Sequence, residues 1–152
     1  MSAMHIVNLM LRPSIESLKL GPEDKIGVAF ATQLRVWTIE GKLRAVWTHI
    51  PNEMGGAGGS RHADEKVRRT AARLAQIRYA IAKALGLIPG FSDYVFLWEG
   101  GCAALEAKTK DGTQQPEQVH FQKWCADRNV PYFIFRSPEE GYAILRELGI
   151  LD

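Results

Sequence analysis

Two short apolar runs, Tyr94–Trp98 and residues 102–107, stand on either side of Glu99-Gly100-Gly101. Runs of that length, rich in strand formers and joined by glycines, form a β-hairpin. A lone hairpin is marginal in water, so the rest of the chain has to supply further strands and helices. Pro22 opens a segment whose Ile26, Ala29, Phe30, Leu34 and Trp37 recur at helical spacing as far as Gly41, and Glu23 and Asp24 suit its positive end. Residues 45–50 read as a strand bounded by Pro51 and Asn52. A long helix is predicted over 63–85, with Val67, Ala71, Leu74, Ile77, Ile81 and Leu85 as its apolar positions and Gly86 as its stop. Pro116 begins another helix, with Phe121, Trp124, Cys125 and Arg128 on one stripe and an end at Asn129. A strand over 132–136 follows Pro131, and Ser137-Pro138-Glu139-Glu140 is a capping box for a last helix closed by Gly149. Residues 5–11 fit either an added strand or a short helix. The order helix, strand, helix, hairpin, helix, strand, helix describes an α/β or α+β domain whose central sheet is covered by helices.

A chain of 152 residues buries about 70% of its unfolded surface, enough for a core without staples. No stretch approaches the roughly 20 apolar residues of a membrane span, and the run at 6–11 is too short and too polar at Asn8 for a signal peptide. Cys102 and Cys125 have no metal-ligand or redox spacing, which argues against a disulfide scaffold or a zinc ribbon and predicts a reducing, cytoplasmic setting. The four histidines His5, His49, His62 and His120 are scattered, so a histidine metal cluster is not expected. The glycine-rich run 55–60 lacks the Gly-Lys-Ser/Thr ending of a phosphate-binding P-loop.

Charge becomes informative when it is divided along the chain. Residues 61–83 hold seven basic side chains against Asp64 and Glu65, a local excess of +5, while the remainder carries −3. Within that segment Lys66, Arg69 and Arg73 share one side of the predicted helix and Lys83 lies near its end. Such a face is either simply solvated or a contact for a polyanion.

The hairpin also carries the chemistry. A two-residue turn at Gly100-Gly101 pairs Glu99 with Cys102 and sets Asp93 opposite Lys108; Glu106 and Lys108 then share a face, and Ala107 points away. Asp93, Glu106 and Lys108 converge within roughly one cross-strand spacing of about 5 Å and one diagonal step. A three-residue loop would instead put Asp93 on the other face. Two carboxylates suit a Mg²⁺-type cation, with the Ala107 carbonyl as a further oxygen ligand. Lys108 would orient or polarise water and neutralise phosphate charge. The alternative is an exposed Glu-Lys pair beside an unrelated turn Asp.

In this sequence Gly90-Phe91-Ser92-Asp93, an apolar strand, a turn and Leu105-Glu106-Ala107-Lys108 follow one another. That pattern resembles the core of PD-(D/E)XK nucleases, and more specifically the VRR-NUC branch common in bacteriophages. Pro51-Asn52, the run from Lys83 to Asp93, Gln115-Pro116-Glu117-Gln118 and Ser137 onward occur in the same order over residues 22–150. The resemblance implies a restriction-endonuclease-like central mixed sheet flanked by helices, within a single nuclease domain over 22–152 preceded by an extension over 1–21. It implies a Mg²⁺- or Mn²⁺-dependent endodeoxyribonuclease selective for branched DNA such as Holliday junctions, acting as a homodimer away from membranes in the cytoplasm, where a phage-encoded copy would act in the host. Asp93, Glu106, Lys108 and Gln118 would be catalytic. Glu23, Asp93, Glu106 and the Ala107 carbonyl would hold the metal, and Lys66, Arg69, Arg73 and Lys83 would contact DNA. Ser92 stands where the family has Pro, Glu53 and Met54 replace its glycines, and the Gln expected after the first-helix acid is missing; Glu16 and Glu40 compete with Glu23 for that acid's role, and a purely capping Glu23 is the alternative. A fold that keeps nucleic-acid binding without hydrolysis is the competing expectation.

Overall fold

The computed structural model describes residues 3–51 and 64–152. In chain order the elements are α1 (Ala3–Met10), α2 (Pro22–Glu40), β1 (Val46–His49), α3 (Glu65–Ala84), β2 (Tyr94–Trp98), β3 (Gly101–Ala107), α4 (Pro116–Ala126), β4 (Tyr132–Phe135) and α5 (Pro138–Glu147). The strands form one mixed sheet in the order β1-β2-β3-β4, antiparallel except for the parallel pair β3-β4. Helix α4 is the crossover between those parallel strands, the kind of connection that parallel pairing demands. The ambiguous N-terminal segment is a helix. Asn52 and the glycine-rich run 55–60 lie outside the described residues.

Alternation along β3 divides the interior. Ala103, Leu105 and Ala107 belong to the larger core with Phe30 and Leu34 of α2, Tyr94 and Phe96 of β2, Phe135 of β4 and Leu145 of α5. Ala104 turns to the other face and packs with Phe121 and Cys125 of α4. Phe30 is the hub of the larger core: it meets Tyr94 edge-on at 5.2 Å, lies 4.6 Å from Phe135 and stacks on Tyr142 at 5.6 Å. A fully buried Phe contributes about 3 kcal/mol, which fixes the side of α2 that faces the sheet.

Several boundaries differ from expectation. Helix α3 begins at Glu65 because Asp64 is its N-cap, accepting from the Lys66 N–H. None of its side chains is buried, so its apolar stripe faces outward. Helix α4 ends at Ala126, with Asn129 at φ +56° in the turn that follows. The Ser137 hydroxyl accepts from the Glu140 N–H, but the Glu140 carboxylate accepts from the Arg136 N–H, so the expected capping box is only half formed. The hairpin turn lies at Glu99-Gly100, with Gly100 at φ +83°, while Gly101 has joined β3 opposite Trp98. Tyr94 therefore pairs with Leu105, and one step further Asp93 stands opposite Glu106 instead of Lys108. The two-residue slip preserves parity, so all three side chains keep their common face.

Gly90 links this hairpin to α4. It sits at φ +79°, and a Cβ there would lie 2.3 Å from the backbone of Glu117 in the first turn of α4. Gly90→Ala should therefore push the start of α4 off the sheet and cost at least about 2 kcal/mol, from left-handed strain together with the clash. Chemical denaturation would measure it, and a variant within 0.5 kcal/mol of wild type would contradict the packing.

Candidate functional site

The end of the hairpin, the N-terminus of α2 and the N-terminus of α4 meet at one point. Glu106, near the end of β3, has no exposed surface, and Lys108 just beyond it is 6% exposed. The Lys108 ammonium lies 2.9 Å from a Glu106 oxygen and donates to Glu23 at 2.9 Å. Glu23 reaches it because Pro22 starts α2 there, which places the acid in the first turn. From α4 the Gln118 amide donates to the same Glu106 oxygen, Oε1. The Gln118 carbonyl in turn accepts from the Gln115 N–H at 2.9 Å, which holds the amide in the orientation that presents its NH₂ to Glu106. Asp93 accepts from the Ala107 N–H at 2.8 Å across the two strands.

All of these bonds leave Glu106 Oε2 buried with no protein partner. A buried carboxylate oxygen without a donor is costly. Burial, followed by repulsion from Asp93, raises the Glu106 pKa to about 7 despite the hydrogen bond and charge of Lys108 and the pull of the Asp93 backbone N–H. Burial also raises Asp93, against the opposing pull of the Ala107 N–H and Lys108. For Lys108, burial pulls downward, but its bonds to Glu106 and Glu23 prevail and hold it above the ordinary value. The pocket therefore resists carrying two negative carboxylates.

The site opens into a cleft of about 950 Å³ that Glu23, Asp93, Glu106, Ala107, Lys108 and Gln118 all line. Among the described residues no three His, Cys, Asp or Glu side chains gather into a metal-binding group. Glu23 is turned to Lys108 and not into a ligand cluster with Asp93 and Glu106. A cation here would rest on two carboxylates, a backbone carbonyl and water, a donor set that suits Mg²⁺ or Mn²⁺. The orphaned Glu106 oxygen fits that use. Glu40, the competing acid, is ion-paired to Lys42 at 2.7 Å, and Glu16 is exposed; neither lines the cleft.

The basic residues of α3 are not brought to this place. Lys66, Arg69, Arg73 and Lys83 are exposed, Arg69 pairs with Glu65 at 2.5 Å, Lys83 lies over the Tyr79 ring, and none lines the cleft. Among the described residues the cleft's own cations besides Lys108 are Arg12, ahead of α2, and Arg35, within it; His49 of β1 also lines the wall, edge-on to Tyr94. Sequence reasoning passed over both arginines. For Arg35 a signal existed, because it continues the row of every fourth residue, Glu23, Gly27 and Ala31, along α2. Arg12 had none, since its position depends on how the chain folds back between α1 and α2.

Compared with family models, with curated proteins and with solved structures, the chain matches none of them.

The burial of Glu106 has a pH signature. With a folded pKa of about 7 against an ordinary 4.5, the unfolded chain loses the proton first, so stability falls as pH rises from about 4.5 through 7. The full penalty, roughly 3 kcal/mol at about 1.4 kcal/mol per pKa unit, applies above 7. Glu106→Gln removes the ionisation and leaves Lys108 paired with Glu23. In EDTA the variant should melt higher than wild type at pH 8 and close to it at pH 4.5; a lower melting temperature at pH 8 would contradict the electrostatics.

Proposed function

We propose that this chain is a metal-dependent endodeoxyribonuclease that hydrolyses phosphodiester bonds, with a restriction-endonuclease-like core and a preference for branched DNA. The observation that carries the reading is the buried, unpartnered Oε2 of Glu106 beside a second carboxylate at the end of an open cleft. The mixed sheet with helices on both faces and the Glu-x-Lys strand at that place are compatible with the nuclease resemblance of the sequence.

In this reading Asp93, Glu106 and the Ala107 carbonyl hold Mg²⁺ or Mn²⁺. When bound, the ion supplies Lewis-acid polarisation of the phosphate and acidifies water. Lys108, held by Glu23 and Glu106, presents an ammonium toward the phosphate and opposes the charge that develops on its oxygens. Gln118 is a positioning residue: its amide fixes Oε1 of Glu106 and so determines where Oε2 points. Glu23 restrains Lys108, a different role from the metal ligand expected of it.

The reading includes a second copy of the chain, which suits the two-fold symmetry of a four-way junction. Val67, Leu74, Ile77 and Ile81 of α3 are 45–58% exposed and fall at the a and d positions of consecutive heptads, the pattern of a helix-helix seam. Sedimentation should give a dimer that Leu74→Glu with Ile81→Glu converts to a monomer. A wild-type monomer at micromolar concentration would remove the dimer from the proposal. A binding protein without hydrolysis is the second reading, favoured by the lack of a third acid in the metal group among the described residues.

Cleavage of labelled junction, flap, single-stranded and duplex DNA, with Mg²⁺ or Mn²⁺ and with EDTA, tests the function. We expect cation-dependent cutting that Asp93→Asn and Glu106→Gln abolish and that Lys108→Met lowers by roughly 100-fold or more. Undiminished cutting by both carboxylate variants overturns the site; binding without any cutting establishes the second reading.

A further inference from the structure

We infer that Arg12 and Arg35 are the phosphate-binding wall of a groove that takes a single nucleic-acid strand and leads it to Glu106. The inference rests on the nuclease reading and names the form of the substrate. Four cleft residues of α2, Glu23, Gly27, Ala31 and Arg35, are spaced four apart and so form one continuous row that winds about a third of the way round the helix. From Glu23 to Arg35 that row runs roughly 18 Å. The middle of that row is floor: Ala31 is buried in the core and Gly27 lies against the Tyr94 hydroxyl, so Glu23 and Arg35 mark the two ends of the trough. Across from it the segment between α1 and α2 contributes Arg12, Ile15 and Leu20 to the same cleft.

The charges indicate what the trough holds. Glu106 is buried with an oxygen unpartnered, and Lys108 is committed to Glu106 and Glu23. Arg12 and Arg35 are ion-paired to no carboxylate among the described residues, although Asp24 and Asp93 line the same cleft. The Arg12 guanidinium has only a 3.4 Å contact with the neighbouring Pro13 carbonyl, and Arg35 lies over the Trp47 ring at 5.8 Å. Two cations left without anions, on a wall whose other members include Ile15, Leu20 and Val28, match a ligand that alternates phosphate with apolar sugar and base faces. Access selects the strand: Glu106 lines the cleft yet has no exposed surface. A strand splayed from a branch can turn its sugar and base faces to that apolar wall, whereas a duplex keeps its bases stacked inside.

Fluorescence anisotropy with a labelled single-stranded oligonucleotide and its duplex, in Ca²⁺ and over a salt series, tests this alongside cleavage by the same preparations in Mg²⁺. The single strand should bind more tightly than the duplex. Arg12→Ala and Arg35→Gln should each weaken it several-fold and lower the log-log salt slope by about 0.7, while Mn²⁺ binding in the absence of DNA is unchanged. Arg12 is exposed, so its variant reports even where Arg35→Gln loses stability. Wild type that cuts while both variants keep their affinity and slope overturns the wall alone, as does tighter binding of the duplex. Wild type that neither binds nor cuts nucleic acid overturns the nuclease reading and the wall with it.

Discussion

A carboxylate with no exposed surface governs this structure. Glu106 can be tolerated in the interior only because three separate elements bring something to it: β3 brings Lys108, α4 brings the Gln118 amide, and α2 brings Glu23 to hold the lysine from the other side. Each bond takes part of the desolvation cost away, and none reaches Oε2. A buried polar network that is complete except for one oxygen, at the mouth of a cleft, is costly for folding, since a neutral Leu or Gln at this point would cost less, and the proposed cation rests on that cost.

The elements around Glu106 follow from what that placement requires. Asp93 has to stand across from it, which depends on an even register between β2 and β3, and the turn at Glu99-Gly100 provides one. Gln118 has to approach from the face opposite the larger core, which depends on α4 starting against Gly90, where only a residue without a Cβ leaves room. The Glu23 carboxylate has to arrive from α2, and the packing of Phe30 sets that helix's rotation on the sheet. Core packing and site geometry are in this sense one set of constraints: the aromatic cluster fixes the helices, and the helices aim the polar side chains.

What could be read in advance follows the range of the interactions. Alternation within the hairpin and proline-led helix starts are local, and they suffice to place Asp93, Glu106 and Lys108 on one face and Gln118 in a first turn. The exact pair was missed because adjacent glycines at 100 and 101 offer two turns of equal length, and the site survived the error because both have the same parity. The capping box at Ser137 is only half formed because the Glu140 carboxylate takes the Arg136 N–H, although α5 starts at Pro138 as its proline announces. Helix α3 shows the limit of periodicity, since a 3.6-residue apolar stripe announces a face that wants covering without saying whether the same chain covers it. The cleft wall at Arg12 was illegible for a related reason: it belongs to a segment placed by tertiary packing alone.

The central claim is that Glu106 waits near neutrality for a cation, and carboxyl-detected NMR of the Glu106 side chain, titrated from pH 4 to 9 with and without Mg²⁺, tests it most directly. Without the ion its carboxyl should titrate near 7; with saturating Mg²⁺ it should stay ionised through the acidic range, with Asp93 responding in parallel. A Glu106 that titrates at an ordinary glutamate value, or a raised one that Mg²⁺ leaves in place, would contradict the account.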